Sequence, residues 1–197
     1  LSSDFKRKIR ATSEVGINFN SQLRPEFIRT LASASWSYRW VDRTRSQHRF
    51  DLLNVNYVYV PWKSENFKEY LNKLSDRNSI LTKSYEDQLI VSLGYSYIYN
   101  SANNQQESGK RNTYSIRVNV EESGNLLYAA SKAIHNEPKA EKGYVIANIP
   151  FAQYIKGDFD FAQNWNIDNR NSLVFHIGMG IAYPYGNSKV LPFEKRY

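Results

Sequence analysis

Residues 173–185 read LVFHIGMGIAYPY, and their alternation decides the fold. Leu173, Phe175, Ile177, Met179, Ile181, Tyr183 and Tyr185 fall on one parity, and Val174, His176, Gly178, Gly180 and Ala182 on the other. Large apolar groups at every second residue follow the repeat of a β-strand, not the 3.6-residue repeat of a helix. Upstream, Ile149, Phe151, Ile155, Phe159, Phe161 and Trp165 share a parity, while Lys156, Asp158, Asp160 and Asn164 share the opposite one. Between these two runs, residues 167–171 (IDNRN) consist largely of turn formers and predict a tight hairpin end.

The same alternation extends towards the start of the chain. Tyr114, Ile116, Val118 and Val120 oppose Ser115, Arg117, Asn119 and Glu121, and Leu89 to Tyr99 alternate with Ser92, Gly94, Ser96 and Asn100. Leu53, Val55, Tyr57 and Tyr59 oppose Asn54 and Asn56, although Val58 and Val60 blur that run. Ala32, Ala34, Trp36, Tyr38 and Trp40 oppose Arg29, Ser33, Ser35, Ser37 and Arg39; Ile9, Ala11, Val15, Ile17 and Phe19 oppose Lys8, Arg10, Thr12, Glu14 and Asn18. Seven antiparallel strands and an all-β fold are the expectation. Most of these runs exceed the usual ~5–6 residues of a strand in a soluble sheet and reach the ~9–11 that a tilted strand needs to cross a bilayer.

The connections alternate as well. Those at 43–47, 102–112 and 167–171 are short or plainly polar, whereas 63–87 and 124–148 are long; only 21–26 is short on the long side. Short turns at one end and long loops at the other are the arrangement of outer-membrane barrels. Aromatics cluster towards strand ends at Trp36 and Trp40, Tyr57, Tyr59 and Trp62, Tyr95 to Tyr99, and Tyr183 and Tyr185, as interfacial girdles would place them. A soluble β-sandwich or lipocalin-like core accounts for the same alternation, so both remain open from pattern alone.

Composition narrows the function. The 197 residues contain 15 Tyr, 10 Phe and 4 Trp but no Cys, which removes disulfides, thiolate metal sites and a cysteine nucleophile together. His48, His135 and His176 are scattered, so no metal site and no cofactor is expected. No apolar run approaches the ~20 residues of a spanning helix. The chain begins at Leu1 without a charged and then apolar leader, so any signal peptide would lie outside it. The net charge of +7 is dispersed over strands and turns without a basic stripe, which argues against a nucleic-acid partner. No phosphate loop, serine elbow or zinc motif is present, so the chain is not expected to be an enzyme.

Within the long connections, residues 64–74 (SENFKEYLNKL) place Phe67, Tyr70, Leu71 and Leu74 at i, i+3, i+4, i+7, predicting a short amphipathic helix capped by Ser64. Residues 125–134 (NLLYAASKAI) are also helix-compatible, and Gly143 would restart the strand. Charge sits largely opposite the apolar parity: Arg117, Glu121, Lys156, Asp158 and Asp160 would line a wet lumen if the apolar parity meets lipid. Asp158 and Asp160 could pair for acid/base work, but balanced lumen charge is the simpler reading.

Residues 181–197 (IAYPYGNSKVLPFEKRY) resemble the BamA/TamA superfamily of outer-membrane assembly barrels, in which an L-P-F-x-x-x-[YF] segment follows an upward strand and leads into a long sixth loop. Leu191, Pro192, Phe193 and Tyr197 match that segment, and residues 121–128 (EESGNLLY), 151–158 (FAQYIKGD) and 85–100 are similar to the TamA-like branch. The resemblance implies the central portion, strands five to eleven, of one 16-stranded transmembrane β-barrel domain spanning 1–197, without the first and last strands or the periplasmic POTRA domains. It implies a location in the outer membrane of a Gram-negative bacterium, with outer-membrane lipid, client outer-membrane proteins and periplasmic or lipoprotein subunits as partners. The implied function is insertion or translocation of outer-membrane or surface proteins. A porin-like or two-partner-secretion transport barrel, and then a soluble β-sheet binding module, are the alternatives.

Overall fold

The computed structural model describes residues 11–42, 44–75, 82–103, 112–134, 138–139, 143–168 and 170–196. In chain order its elements are β1 (Thr12–Leu23), β2 (Phe27–Val41), β3 (Gln47–Lys63), α1 (Glu65–Ser75), β4 (Gln88–Asn100), β5 (Thr113–Ser123), α2 (Asn125–Ala133), β6 (Val145–Ile146), β7 (Ile149–Pro150), β8 (Tyr154–Asn166) and β9 (Ser172–Pro184). Seven of these strands form one sheet in the order β1-β2-β3-β4-β5-β8-β9, every neighbour antiparallel, with β1 and β9 at its edges. The fold is therefore all-β, and the β6–β7 hairpin stands apart inside the longest connection.

Register carries the alternation of single strands across the whole sheet. One rung of partners runs Ser13, Tyr38, Phe50, Tyr95, Val120, Gly157, Ile181. The adjacent rung, on the opposite side, runs Glu14, Ser37, Asp51, Gly94, Glu121, Lys156, Ala182. Because a one-residue slip would move every side chain of a strand to the other face, the match keeps one face apolar from edge to edge. The β3 run stays in phase only through an irregularity between Asp51 and Asn54, which shifts the outward parity from His48 and Phe50 to Val55 and Tyr57. A bulge of this kind inserts a residue and re-aims the strand.

The apolar face is uncovered. On the inner strands Trp36 is 40% exposed, Phe50 37%, Val120 46% and Ile155 47%, and at the β1 edge Ile17 reaches 86%. Towards the 42–46 turn, Trp40 stacks on His48 at 5.1 Å, and His48 Nδ1 lies 2.7 Å from the Tyr95 hydroxyl, forming an aromatic row across β2, β3 and β4. The buried apolar groups gather at the other end of the sheet, where the long connections lie: Val58, Val60, Ile90, Phe151, Ala152 and Tyr154 are all at or below 8% exposure.

The expected helices are present. Ser64 Oγ accepts from the Phe67 amide at 3.3 Å and caps α1, and α2 starts behind Gly124, whose φ is +87°. No described helix is long and apolar enough to cross a membrane. One boundary differs from the expectation: the alternation through Ile149 and Phe151 belongs to separate structure. Ile149 pairs with Ile146 in the small hairpin, Phe151 forms an isolated parallel bridge with Leu89, and the long strand begins only at Tyr154. Half-buried Ile149 and buried Phe151, on either side of Pro150, happen to continue the parity.

Candidate functional site: the polar face and the segment that closes over it

The five charged residues singled out from the sequence lie on one face of two paired strands. Arg117 is opposite Asp160, and Glu121 opposite Lys156; Asp158, opposite Asn119, completes the set. Lys156 Nζ is 3.5 Å from Asp158, and His176 of β9 is 3.3 Å from Asp160. Small residues on β9 make room for the acids: a Cβ at Gly180 would stand 2.9 Å from Asp158 Oδ1 and one at Gly178 3.1 Å from Asp160 Oδ1. Among the described residues, no group of three or more His, Cys, Asp or Glu is arranged to hold a metal ion.

Glu121 does not stay within the strands. Its carboxylate accepts from the Tyr154 hydroxyl at 2.7 Å and pairs with Lys195 Nζ at 2.7 Å. Lys195 belongs to the segment after β9, which turns back over the polar face. The preceding residue, Glu194, pairs with Arg29 of β2. Two successive residues thus hold β2 and β5, which are three places apart in the sheet, or about 14 Å at the usual strand spacing. All four side chains are at most a quarter exposed, so both pairs sit in a region of reduced solvent.

The LPF residues shape this clasp. Leu191 packs against Ile90, Ala152 and Tyr154; Pro192 is buried; the Arg196 guanidinium closes the turn by donating to the Leu191 carbonyl at 2.8 and 3.1 Å. Phe193, by contrast, is 44% exposed. Tyr197 lies outside the described residues.

Two side-chain amides fasten the base of the segment. Asn187 Nδ2 donates to the carbonyls of Tyr144 and Phe151, at 2.9 Å each, while its Oδ1 accepts from the Tyr144 amide at 2.7 Å. Gln153 Oε1 accepts from the Asn187 amide at 2.9 Å, and its Nε2 donates to Asn125 Oδ1 at 2.7 Å. One knot therefore ties α2, the long connection and the post-β9 segment together. Gly186 (φ +55°) is required within it, because a Cβ there would meet Gln153 Oε1 at 2.2 Å.

Arg29, Glu194, Lys195, Gln153 and Asn187 did not stand out in the sequence as a group. A signal was present nonetheless. Val58, Val60, Ile90 and Tyr154 lie on the polar parity near the ends of their strands, and apolar groups on a wet face need something to cover them.

Comparison of the chain with protein-family models, with curated proteins and with solved structures finds no match.

Proposed function

We propose that this chain is the central wall of a larger outer-membrane β-barrel of the BamA/TamA type, which assists the insertion or translocation of outer-membrane or surface proteins. The single observation that carries the reading is the pairing of two faces: an uncovered apolar face continuous across seven strands, and a charged face onto which the post-β9 segment is clasped. Soluble monomers rarely expose contiguous apolar patches beyond a few hundred Å², and lipid is the solvent in which such a face lowers free energy. The aromatic row at Trp40, His48 and Tyr95 fits the level of the headgroups.

In this reading the edges at β1 and β9 pair with further strands, since unsatisfied backbone groups in hydrocarbon cost several kcal/mol each. Arg117, Glu121, Lys156, Asp158 and Asp160 face the lumen, and the clasped segment is the start of a loop folded inside it. The wall assists clients by staying rigid while bilayer and client strands rearrange beside it.

The test is Glu121→Lys and Lys195→Glu, singly and together, in cells that depend on the protein. The reading predicts that each single variant lowers the heat-modifiable, folded fraction of client outer-membrane proteins and that the double variant restores it. Unchanged client assembly together with an open, loop-independent conductance would favour a transport barrel instead, and folding of the chain in water without detergent would favour a soluble module.

A further inference from the structure

The polar face is not evenly mixed in charge. It holds two adjoining clefts of opposite sign. One, over Gly94, is walled by Asp51, Glu121 and Asp158 and among the described residues holds no Lys or Arg in its lining. The other, about 340 Å³ and nearer the 42–46 turn, is walled by Arg39, Arg49 and Arg117 with Gln47, His48, Ser96 and Asn119, and among the described residues holds no Asp or Glu.

The second cleft occupies two consecutive rungs of the sheet. Arg39, Arg49, Ser96 and Asn119 are successive partners across β2 to β5, and Gln47, Ile98 and Arg117 form the next rung on the same face. Arg39 and Arg49 are thus direct cross-strand neighbours, a placement in which like charges oppose each other at close range and cost stability unless an anion lies between them. Their own acids approach from outside the cleft: Glu14 pairs with Arg39 at 3.3 Å, and Asp51 with Arg49 through Nε at 2.8 Å. Arg117, opposite Asp160 of β8, stands on the far wall, two strand spacings across and one rung along from Arg49, or about 12 Å between backbones, a span that two arginine side chains can close on one group above Ser96.

We propose that this cleft is a binding site for a phosphate-bearing ligand. Planar guanidinium forks match the oxygens of phosphate bidentately, which a point-charge ammonium cannot do. Gln47, Ser96 and Asn119 supply neutral donors around the same space. The site depends only on the polar face and holds whether or not the apolar face meets lipid.

The experiment is calorimetric titration of the purified full chain in dodecyl maltoside with inorganic phosphate, at constant ionic strength set by chloride. Saturable binding is expected, weakened about tenfold or more by Arg117→Gln, and also by Arg117→Lys, which keeps the charge but loses the fork. Lys189→Gln, which removes the same charge outside the cleft, leaves binding intact. Displacement of phosphate by phosphatidic acid in mixed micelles but not by glycerol 3-phosphate assigns the ligand to lipid; the reverse assigns it to a solute. Absence of saturable binding, or equal weakening by Lys189→Gln and Arg117→Gln, overturns the proposal. Arg49→Gln, judged by the same titration after its heat-modifiable migration has been verified, repeats the test should Arg117 variants misfold.

Discussion

Neutralising Glu194 should release the segment that crosses the polar face. In Glu194→Gln, Arg29 keeps its charge at a position only 14% exposed but loses its anion. Breaking a fully buried pair from one side costs about 3–5 kcal/mol; with both side chains retaining some solvent, about 2–3 kcal/mol is the appropriate range here. The companion pair of Lys195 and Glu121 is untouched, as are the Leu191 contacts, so the loss falls on the docking equilibrium of the clasp rather than on the sheet. Each 1.4 kcal/mol is tenfold, which gives a rise of about 30- to 150-fold in the undocked population. Trypsin reads that population, because cleavage after Lys195 or Arg196 requires the turn to open, and proteolysis tracks the open fraction when reclosing is fast. The charge-swapped double variant, Arg29→Glu with Glu194→Arg, should return the rate to within a few-fold of the parent. Equal cleavage rates in the parent and in Glu194→Gln would refute the clasp.

Other outcomes follow from the same geometry. Gly124→Ala should lower stability by about 1–3 kcal/mol, because the residue sits at φ +87° and a Cβ would meet the Ala152 carbonyl oxygen at 2.3 Å; Gly178→Ala, facing the movable Asp160 and His176 side chains, should cost much less, and urea unfolding midpoints compare the two. Asn187→Ala strands two carbonyls and an amide in the knot and should cost about 2–4 kcal/mol, read from the same midpoints. Met179→Arg should cost about 2–4 kcal/mol in a bilayer but under about 0.5 kcal/mol if that face meets water; folding in lipid vesicles measures it. In the β8–β9 turn, bonds from the Asn171 side chain and from the Arg170 and Asn171 amides hold the Asp168 carboxyl below its ordinary value of 3.8. A depressed carboxyl contributes stability above its unfolded value and loses it as pH falls through the folded one, so the Arg170 and Asn171 amide resonances should move only below pH 3.8.

Most of the sheet was legible because its information is local. A two-residue repeat names the strands and their faces, and the Asp168 turn and the Ser64 cap announce themselves by residue type. Register across β3 was not legible, since the shift between Asp51 and Asn54 has no distinctive residue to mark it. Nor was the start of β8, where Ile149 and Phe151 continue the right parity while making contacts elsewhere. The charged set on β5 and β8 came out together because parity and pairing suffice to place it. The clasp depended on contacts between positions as distant as Arg29 and Glu194, which no periodicity encodes. Its trace in the sequence was indirect, in apolar residues such as Ile90 and Tyr154 on a face otherwise built for water.

The central claim is that one face of the sheet meets lipid and the other a wet lumen. The chain contains no cysteine, so single cysteines can be placed one at a time from residue 173 to residue 184 and spin-labelled without a background variant. In the native membrane, the account predicts period-2 accessibility in opposite phase for two relaxants: odd positions from Leu173 to Tyr183 open to oxygen and closed to a polar nickel chelate, and even positions from Val174 to Ala182 the reverse. Odd positions closed to both relaxants, as in a face packed on protein, or open to the chelate, as in a face exposed to water, would contradict it.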